Sequence, residues 1–585
     1  MLHIYNASAG SGKTYTLAHE YLRLLLQDTQ ATDDKRLPHS RILAVTFTKK
    51  ATAEMKERIL YELYLLSKTP EKSQHWGALL QELGISSHEI QQRASHLLIG
   101  ILQDYSRFSI STIDGFFQQV IRTFAHELGL SATYDLSLDG EEMIQEAVDE
   151  IYKRIREEHS EDKELIQWMI EFIQKNIDDD HKWNPNDTIK LFSKQLLREQ
   201  LTIRMPELQK IFDDKDFMRK YRSTLQSICQ TTEEQVAALL YQANCIFQQE
   251  MEEKWNKHIL TAFKKSPAEW LKGEMGATFN NVIADPIKII TKSKTTKAEQ
   301  TYFLDLYNQK LEPIFQQIND ICTSSAAKDY VTAKEILPHL YTLGILQDVA
   351  KQIEITNRNI GRLPISETNQ LVNQIIDGQE APFIYERYGQ YFRHYMIDEF
   401  QDTSALQWKN FTPLIHESES YQADNLIVGD VKQSIYRFRN SDWSLLKHIP
   451  EQFSNHLSYC MPNNWRTAPV IVQENEKLMQ AFSNHVAGNI CERYDQDNLG
   501  TDIAYIFHPD YMHQEPAKTD EGYFHMQFFK DNNAEEQTLE QLHIQLQALQ
   551  QEGIDLKRVT MLVRYTSQAA LLAQFLINHG YNVQS

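Results

Sequence analysis

The sequence predicts an α/β protein: a parallel sheet interrupted by a large all-helical insertion and followed by a second, incomplete α/β unit. Three observations carry that expectation. Strand-like and helix-like stretches alternate at the start of the chain, the pattern turns wholly helical from about Asp139 to about Ile375, and strand signals then return beside acidic residues. Two parallel strands need a crossover between them, usually a helix, so strict alternation points to a parallel sheet.

Each element has its own signal. Residues 2–5 form a short apolar strand, and residues 14–26 place Leu17, Tyr21, Leu24 and Leu25 at helical spacing. Residues 41–48 read as a buried strand and 51–65 as the helix after it. The insertion shows amphipathic helical patterns at 143–156, 163–175, 233–258 and 297–318. Apolar strands return at 395–397 and 425–428. The last region predicts strands at 523–529 and 559–563, helices at 535–551 and 567–579, and a strand starting near Tyr581. The expected division is 1–135 and 379–453 for the two parts of the first α/β domain, 136–378 for the insertion, and 454–585 for the incomplete second domain.

Composition narrows the function classes. A 42% hydrophobic and 24% charged chain is ordinary for folded protein, which argues against disorder. Five scattered cysteines with no C-x-x-C pair argue against a metal cluster or a disulfide framework, and fit a reducing compartment. No run of about 18 apolar residues occurs, so a membrane span is not expected. The opening residues lack a basic region followed by an apolar stretch, and a cytoplasmic location is expected. The net charge of −21 would repel anions if it were evenly spread.

The chemistry begins at Ala7-Ser8-Ala9-Gly10-Ser11-Gly12-Lys13-Thr14, between the first strand and the first helix. That is the context of a phosphate-binding loop: glycines let the backbone N–H groups face the phosphates, and the helix N-terminus adds its positive end. Lys13 would reach the β- and γ-phosphates of ATP, and the Thr14 hydroxyl would ligate Mg²⁺. Ala7 stands where the commonest pattern has Gly. The partner signal is Asp398-Glu399 at the end of an apolar strand, with Asp398 as the metal-side carboxylate and Glu399 as the general base.

Taken with Asp398-Glu-Phe-Gln-Asp-Thr-Ser404, the loop resembles motifs I and II of superfamily-1 DNA helicases of the UvrD/Rep and RecB/AddA group. Further runs resemble later motifs in the right order: 44–55 motif Ia, 429–442 motif III, and Asn464-Trp-Arg-Thr467 motif IV. The resemblance is specific over about 1–130 and 380–475. It implies a P-loop RecA-like parallel-sheet motor domain, a helical insertion and a partial second RecA-like domain. It further implies that Gln433 senses the γ-phosphate and that Arg466 stabilises charge developing during transfer. Tyr436 and Phe438 alternate with Arg437 and Arg439, the arrangement of a single-strand platform where bases stack on rings and phosphates meet guanidinium groups. Phe47 and Lys49 join the same DNA-contacting track. Two departures stand out. Asp114 occupies a position where RecB-like relatives usually carry His, so that DNA contact is not carried over. No glutamine-centred adenine-recognition motif precedes the loop.

Local charge answers the objection raised by the total. Residues 41–58 hold Arg41, Lys49, Lys50, Lys56 and Arg58 against Glu54 and Glu57, whereas residues 141–180 hold 14 acids and 5 bases. The acidity gathers in the insertion and the proposed track is basic. Lys288, Lys292, Lys294 and Lys297 form a basic loop that either touches duplex DNA ahead of a junction or is simply solvated. The resemblance implies an ATP-dependent, 3′ to 5′ DNA helicase and translocase on single-stranded DNA, serving repair or recombination within a helicase-nuclease complex that supplies its partner. The chain itself is expected to be an N-terminal fragment without the late motifs. The alternative is a nucleotide- and DNA-binding module with little ATPase activity of its own.

Overall fold

The computed structural model describes residues 1–27, 37–126, 135–137, 140–156, 163–178, 180, 182–250, 252–273, 277–376, 392–493, 503–504, 506–507, 512–529 and 533–584. The chain divides into two compact units, 1–461 and 462–585.

Ten strands occur among the described residues. They are β1 Leu2–Ala7, β2 Ile42–Thr46, β3 Ile110–Thr112, β4 Asp135–Ser137, β5 Arg362–Pro364, β6 His394–Ile397, β7 Asn425–Gly429, β8 His456–Met461, β9 Asn463–Asn464 and β10 Glu515–Pro516. Six build one parallel sheet in the order β3-β2-β6-β7-β1-β8. Ile4 lies opposite Ile427, Ala44 opposite Met396 and Ile397 opposite Ile427. β2 and β7 are buried at every position, as expected of strands covered on both faces. Leu43 and Val45 face a core shared with Phe116, Phe117, Phe411 and Ile415, while Ile42 and Ala44 face one with Leu17, Tyr21, Ile59 and Leu63. This alternation follows from the two-residue period of a strand.

The topology decides where the chemistry goes. β6 and β7, hundreds of residues later in sequence, lie between β1 and β2. All strands run parallel, so the residues after β1, β7, β6 and β2 emerge side by side at one edge of the sheet.

The helical region packs around two cores. One gathers Ile144, Val148, Trp168, Phe172, Tyr341 and Leu346; the other gathers Leu225, Val236, Trp255, Phe263, Phe279 and Phe315. The 35-residue helix Lys215–Gln249 feeds Met218 to the first and Leu225 to Phe247 to the second, so it ties the two together. It ends at Gln249, short of the predicted 258, because Glu250 turns extended and Asn256 caps a new helix, Lys257–Phe263, through the His258 N–H. The predicted helix 297–318 is crossed by a wider π turn at Tyr307–Leu311 just ahead of Pro313, whose ring removes one backbone donor.

Two expectations need correction. β8, which the division at residue 454 assigns to the second α/β domain, pairs along the whole of β1 in the first sheet. Its largely exposed sequence is that of an edge strand and carries little burial signal. In the unit 462–585, residues 523–529, 559–563 and 581–584 form no strand. Strands exist through ladder partners, and these segments have none among the described residues; Phe528 and Leu562 are 84% and 92% exposed. That unit holds the helices Pro469–Arg493, Ala534–Gln551 and Thr566–Asn578 and the short pair β9–β10.

Candidate functional site

The loop after β1 is shaped by its glycines. Gly10 and Gly12 adopt φ of +81° and +93°, values that residues with a Cβ avoid. The Ser11 N–H donates to the Ser8 carbonyl at 3.2 Å, and the Thr16 N–H to the Gly12 carbonyl at 3.0 Å, closing the turn into the helix Lys13–Gln27. Ala7, Ser8 and Ser11 are buried, and the Ser11 Oγ has no hydrogen-bond partner among the described residues. Lys13 and Thr14 are the helix's first two residues, where backbone N–H groups are still free of intrahelical acceptors.

Around Lys13 three elements converge. Its Nζ donates to Glu399 Oε2 at 2.9 Å and lies 3.5 Å from Gln433 Oε1. Glu399 follows β6 in the left-handed region, φ +50°, a conformation that non-glycine residues adopt at a cost and that clusters at functional sites. The Asp398 N–H continues the ladder to the Val45 carbonyl at 2.9 Å, and its Oδ1 accepts the Glu399 N–H at 2.9 Å. Burial pushes the Asp398 carboxyl up to about 7, the Glu399 charge reinforces this, and Lys13 opposes it. Asp402 rises to about 6 for the same two reasons. The Asp398 carboxylate and the Thr14 hydroxyl are hard oxygen donors, the chemistry that suits Mg²⁺. A cation there would favour the charged form of Asp398, which burial alone disfavours.

Sequence reasoning left out two residues that hold this cluster. Gln401, 1% exposed, donates from Nε2 to Glu399 Oε2 at 2.7 Å and accepts the Asp430 N–H at 2.9 Å. Asp430 accepts from Gln433 Nε2 at 2.6 Å and pairs with Lys432 at 2.8 Å. Gln401 packs closely on Gly429: a Cβ there would lie 3.0 Å from Gln401 Oε1. Both residues lie inside the motif runs, so the signal that could have found them was their position among residues already assigned a role.

The predicted nucleic-acid residues also meet. Phe47, just past β2, has its ring centroid 4.6 Å from that of Tyr436, and Tyr436 lies 5.8 Å from Phe438. The Arg439 guanidinium lies 5.7 to 5.9 Å from all three rings, within cation–π range. Phe438 is 77% exposed, so an apolar face is open to a stacking partner. Lys49 is exposed at the start of the helix Lys49–Lys68, which Thr48 caps through the Ala51 N–H. Asp114 is turned inward, accepting from Gln407 Nε2 at 2.9 Å. Arg466 belongs to the unit 462–585, where its N–H donates to Asn464 Oδ1 at 3.0 Å.

Residues 3–454 match the model of the UvrD/REP helicase N-terminal domain. The chain is similar to the RecBCD enzyme subunit RecB of Escherichia coli K12, 23% identical over 81% of the chain and 37% of that protein. It is similar also to two ATP-dependent helicase/nuclease subunits. One is from Staphylococcus haemolyticus, 22% identical over 84% of the chain, and the other from Lactobacillus acidophilus, 25% identical over 83%. The chain spans 37–39% of the length of these relatives. With the family model covering most of its length, the chain belongs to the UvrD/REP helicase family.

Proposed function

We propose that this chain is the ATP-binding, single-strand-gripping part of a DNA helicase and translocase of the RecB/AddA type, acting in repair or recombination with 3′ to 5′ polarity. One observation carries the reading: the phosphate-loop lysine, the paired carboxylates, Gln433 and an aromatic–arginine platform all emerge at one edge of one sheet. Phosphoryl transfer needs mainly positioning and charge stabilisation, and the cluster offers both. A γ-phosphate beside Gln433 would draw Lys13 away from Glu399, leaving Glu399, held by Gln401, to accept the proton of the attacking water. Thr14 and Asp398 would hold Mg²⁺, which when bound would neutralise charge at the phosphates. Arg466 would add a charge-assisted hydrogen bond. The strand would lie on Phe47, Tyr436 and Phe438, with Lys49 and Arg439 meeting its phosphates. Stacking of this kind contributes ~1–3 kcal/mol per base and tolerates any sequence. The names of the relatives support a helicase–nuclease assembly as the setting, and the lysines around residue 290 suit duplex DNA ahead of a junction.

A second reading, a binding module with little turnover by itself, is favoured by the unit 462–585, whose described residues contain only the two-residue strands β9 and β10. MgATP binding and oligo(dT)-stimulated hydrolysis separate the two. Lys13→Ala is expected to lose nucleotide binding, and Glu399→Gln to bind ATP while losing turnover by at least about a hundredfold, the usual range for a general base. Undiminished turnover in either variant would refute the helicase reading. Lys13-dependent binding without hydrolysis in the unsubstituted chain would select the module.

A further inference from the structure

The helical region touches the aromatic–arginine loop through a reciprocal pair of helix caps. Glu199 is the first residue of the helix Glu199–Asp213, and its N–H, one of the donors a helix start leaves free, is taken by Asn440 Oδ1 at 3.0 Å. Asn440 Nδ2 also lies 3.5 Å from the Leu197 carbonyl. In return, the Glu199 carboxylate accepts from the Leu406 N–H, at the start of the helix Ala405–Ser420. At the same helix start, the Ser404 Oγ accepts the Gln407 N–H at 3.1 Å.

The placement of these contacts matters. Asn440 directly follows Arg439, whose guanidinium faces the three rings, and it holds a left-handed φ of +68° that ends the turn Arg437–Arg439. Ser404 closes the run that starts at Asp398, and Ser404 and Ser441 are themselves bridged, with the Asp442 N–H donating to the Thr403 carbonyl at 3.0 Å. Phe438 and Arg439 are exposed, so ordering them draws on what lies beneath the loop. Glu199 is one point where the helical region fastens that support.

We propose that Glu199 and Asn440 form a latch joining the helical region to the stacked loop, which makes Glu199 a positioning residue for nucleic-acid binding. The role rests on the platform reading above. Burial raises the Glu199 carboxyl above its ordinary range, and the Asp442 charge adds to this, while the polar groups of Ser404 and Leu406 favour its ionised form.

The test is equilibrium binding of fluorescent oligo(dT) by the full 585-residue chain, with a fluorescent ATP analogue binding in parallel. Glu199→Ala is expected to weaken oligo(dT) binding about tenfold, the scale of one lost charge-assisted hydrogen bond. Asn440→Gly, which keeps the left-handed backbone without strain, is expected to do the same even if Glu199→Ala folds poorly. Glu199→Gln, whose amide oxygen still accepts from Leu406, is expected to restore binding to within about twofold, and the Glu199→Ala/Asn440→Gly pair to be no weaker than either single change. Nucleotide binding stays unchanged throughout. Arg439→Ala provides the reference. If it weakens binding while Glu199→Ala and Asn440→Gly match the unsubstituted chain, the latch is wrong and the platform stands. If Arg439→Ala also has no effect, the platform reading fails and the positioning role goes with it.

Discussion

Asp398 and Glu399 are adjacent in sequence, yet the fold treats their carboxyls differently. Asp398 is largely withdrawn from water and rises to about 7, whereas Glu399 meets Lys13 and Gln401. The consequence for stability has a definite sign. The folded state holds the Asp398 proton more tightly than the unfolded chain does, so this group favours folding at low pH and loses that contribution as pH rises from about 4 through about 7. Asp398→Asn is therefore expected to stabilise the chain at pH 8 in EDTA, by at most roughly 4 kcal/mol, with the advantage fading toward pH 4. Urea unfolding across that range measures it; a flat difference would count against the assignment. The residues of this cluster were legible because they are spelled out in short runs: Lys13, Glu399 and Gln433 each follow a strand at a fixed offset. The roles of Gln401 and Asp430 were legible only from their place inside those runs, since what defines them is a hydrogen bond between residues 29 positions apart, packed against Gly429.

At the scale of elements, periodicity locates helices well and strands only where something covers them. The strands predicted at 41–48, 395–397 and 425–428 lie in the middle of the sheet and are apolar because both faces are packed. β8 lies at the edge, and its exposed residues gave no comparable signal. Tyr523 to Phe529 have the opposite character, a strand-like sequence without a ladder among the described residues. Helix breaks were missed where the cause is chemical rather than periodic, as at Asn256 and Pro313. Helix contacts are equally hidden from sequence: Gly344, inside the helix Leu340–Ile360, abuts Trp168, whose Nε1–H donates to the Tyr341 carbonyl at 3.0 Å. A Cβ on Gly344 would fall 2.6 Å from that nitrogen. Alanine improves helix propensity by about 1 kcal/mol, but overpacking of a rigid indole outweighs it, so Gly344→Ala is expected to destabilise by about 1–3 kcal/mol. Thermal unfolding would show a lowered midpoint; an unchanged or raised one would mean that the indole moves freely.

For the whole molecule, the deciding feature is that one sheet is assembled from both ends of a long stretch of sequence. β1 lies between β7 and β8, so the strand that delivers the phosphate loop depends on residues more than four hundred positions away. The charge distribution obeys the same logic, with 14 of the acids in residues 141–180 and the track at 41–58 left basic. That much could be read from composition taken segment by segment; the place of β8 could not, because pairing is not encoded in a strand's own exposure. Two truncations make the point testable. A chain ending at Met461 keeps the compact unit 1–461 and every strand of the sheet, and is expected to unfold cooperatively and to bind MgATP. A chain ending at Phe453 loses β8, which pairs with β1 from Leu2 to Ala7, and leaves β1 as an open edge. Unpaired edges invite association and lose ladder hydrogen bonds, so this shorter chain is expected to aggregate or to bind nucleotide more weakly. If it instead matches the longer one in both unfolding midpoint and MgATP affinity, β8 is dispensable, and β7 alone holds the phosphate loop in place.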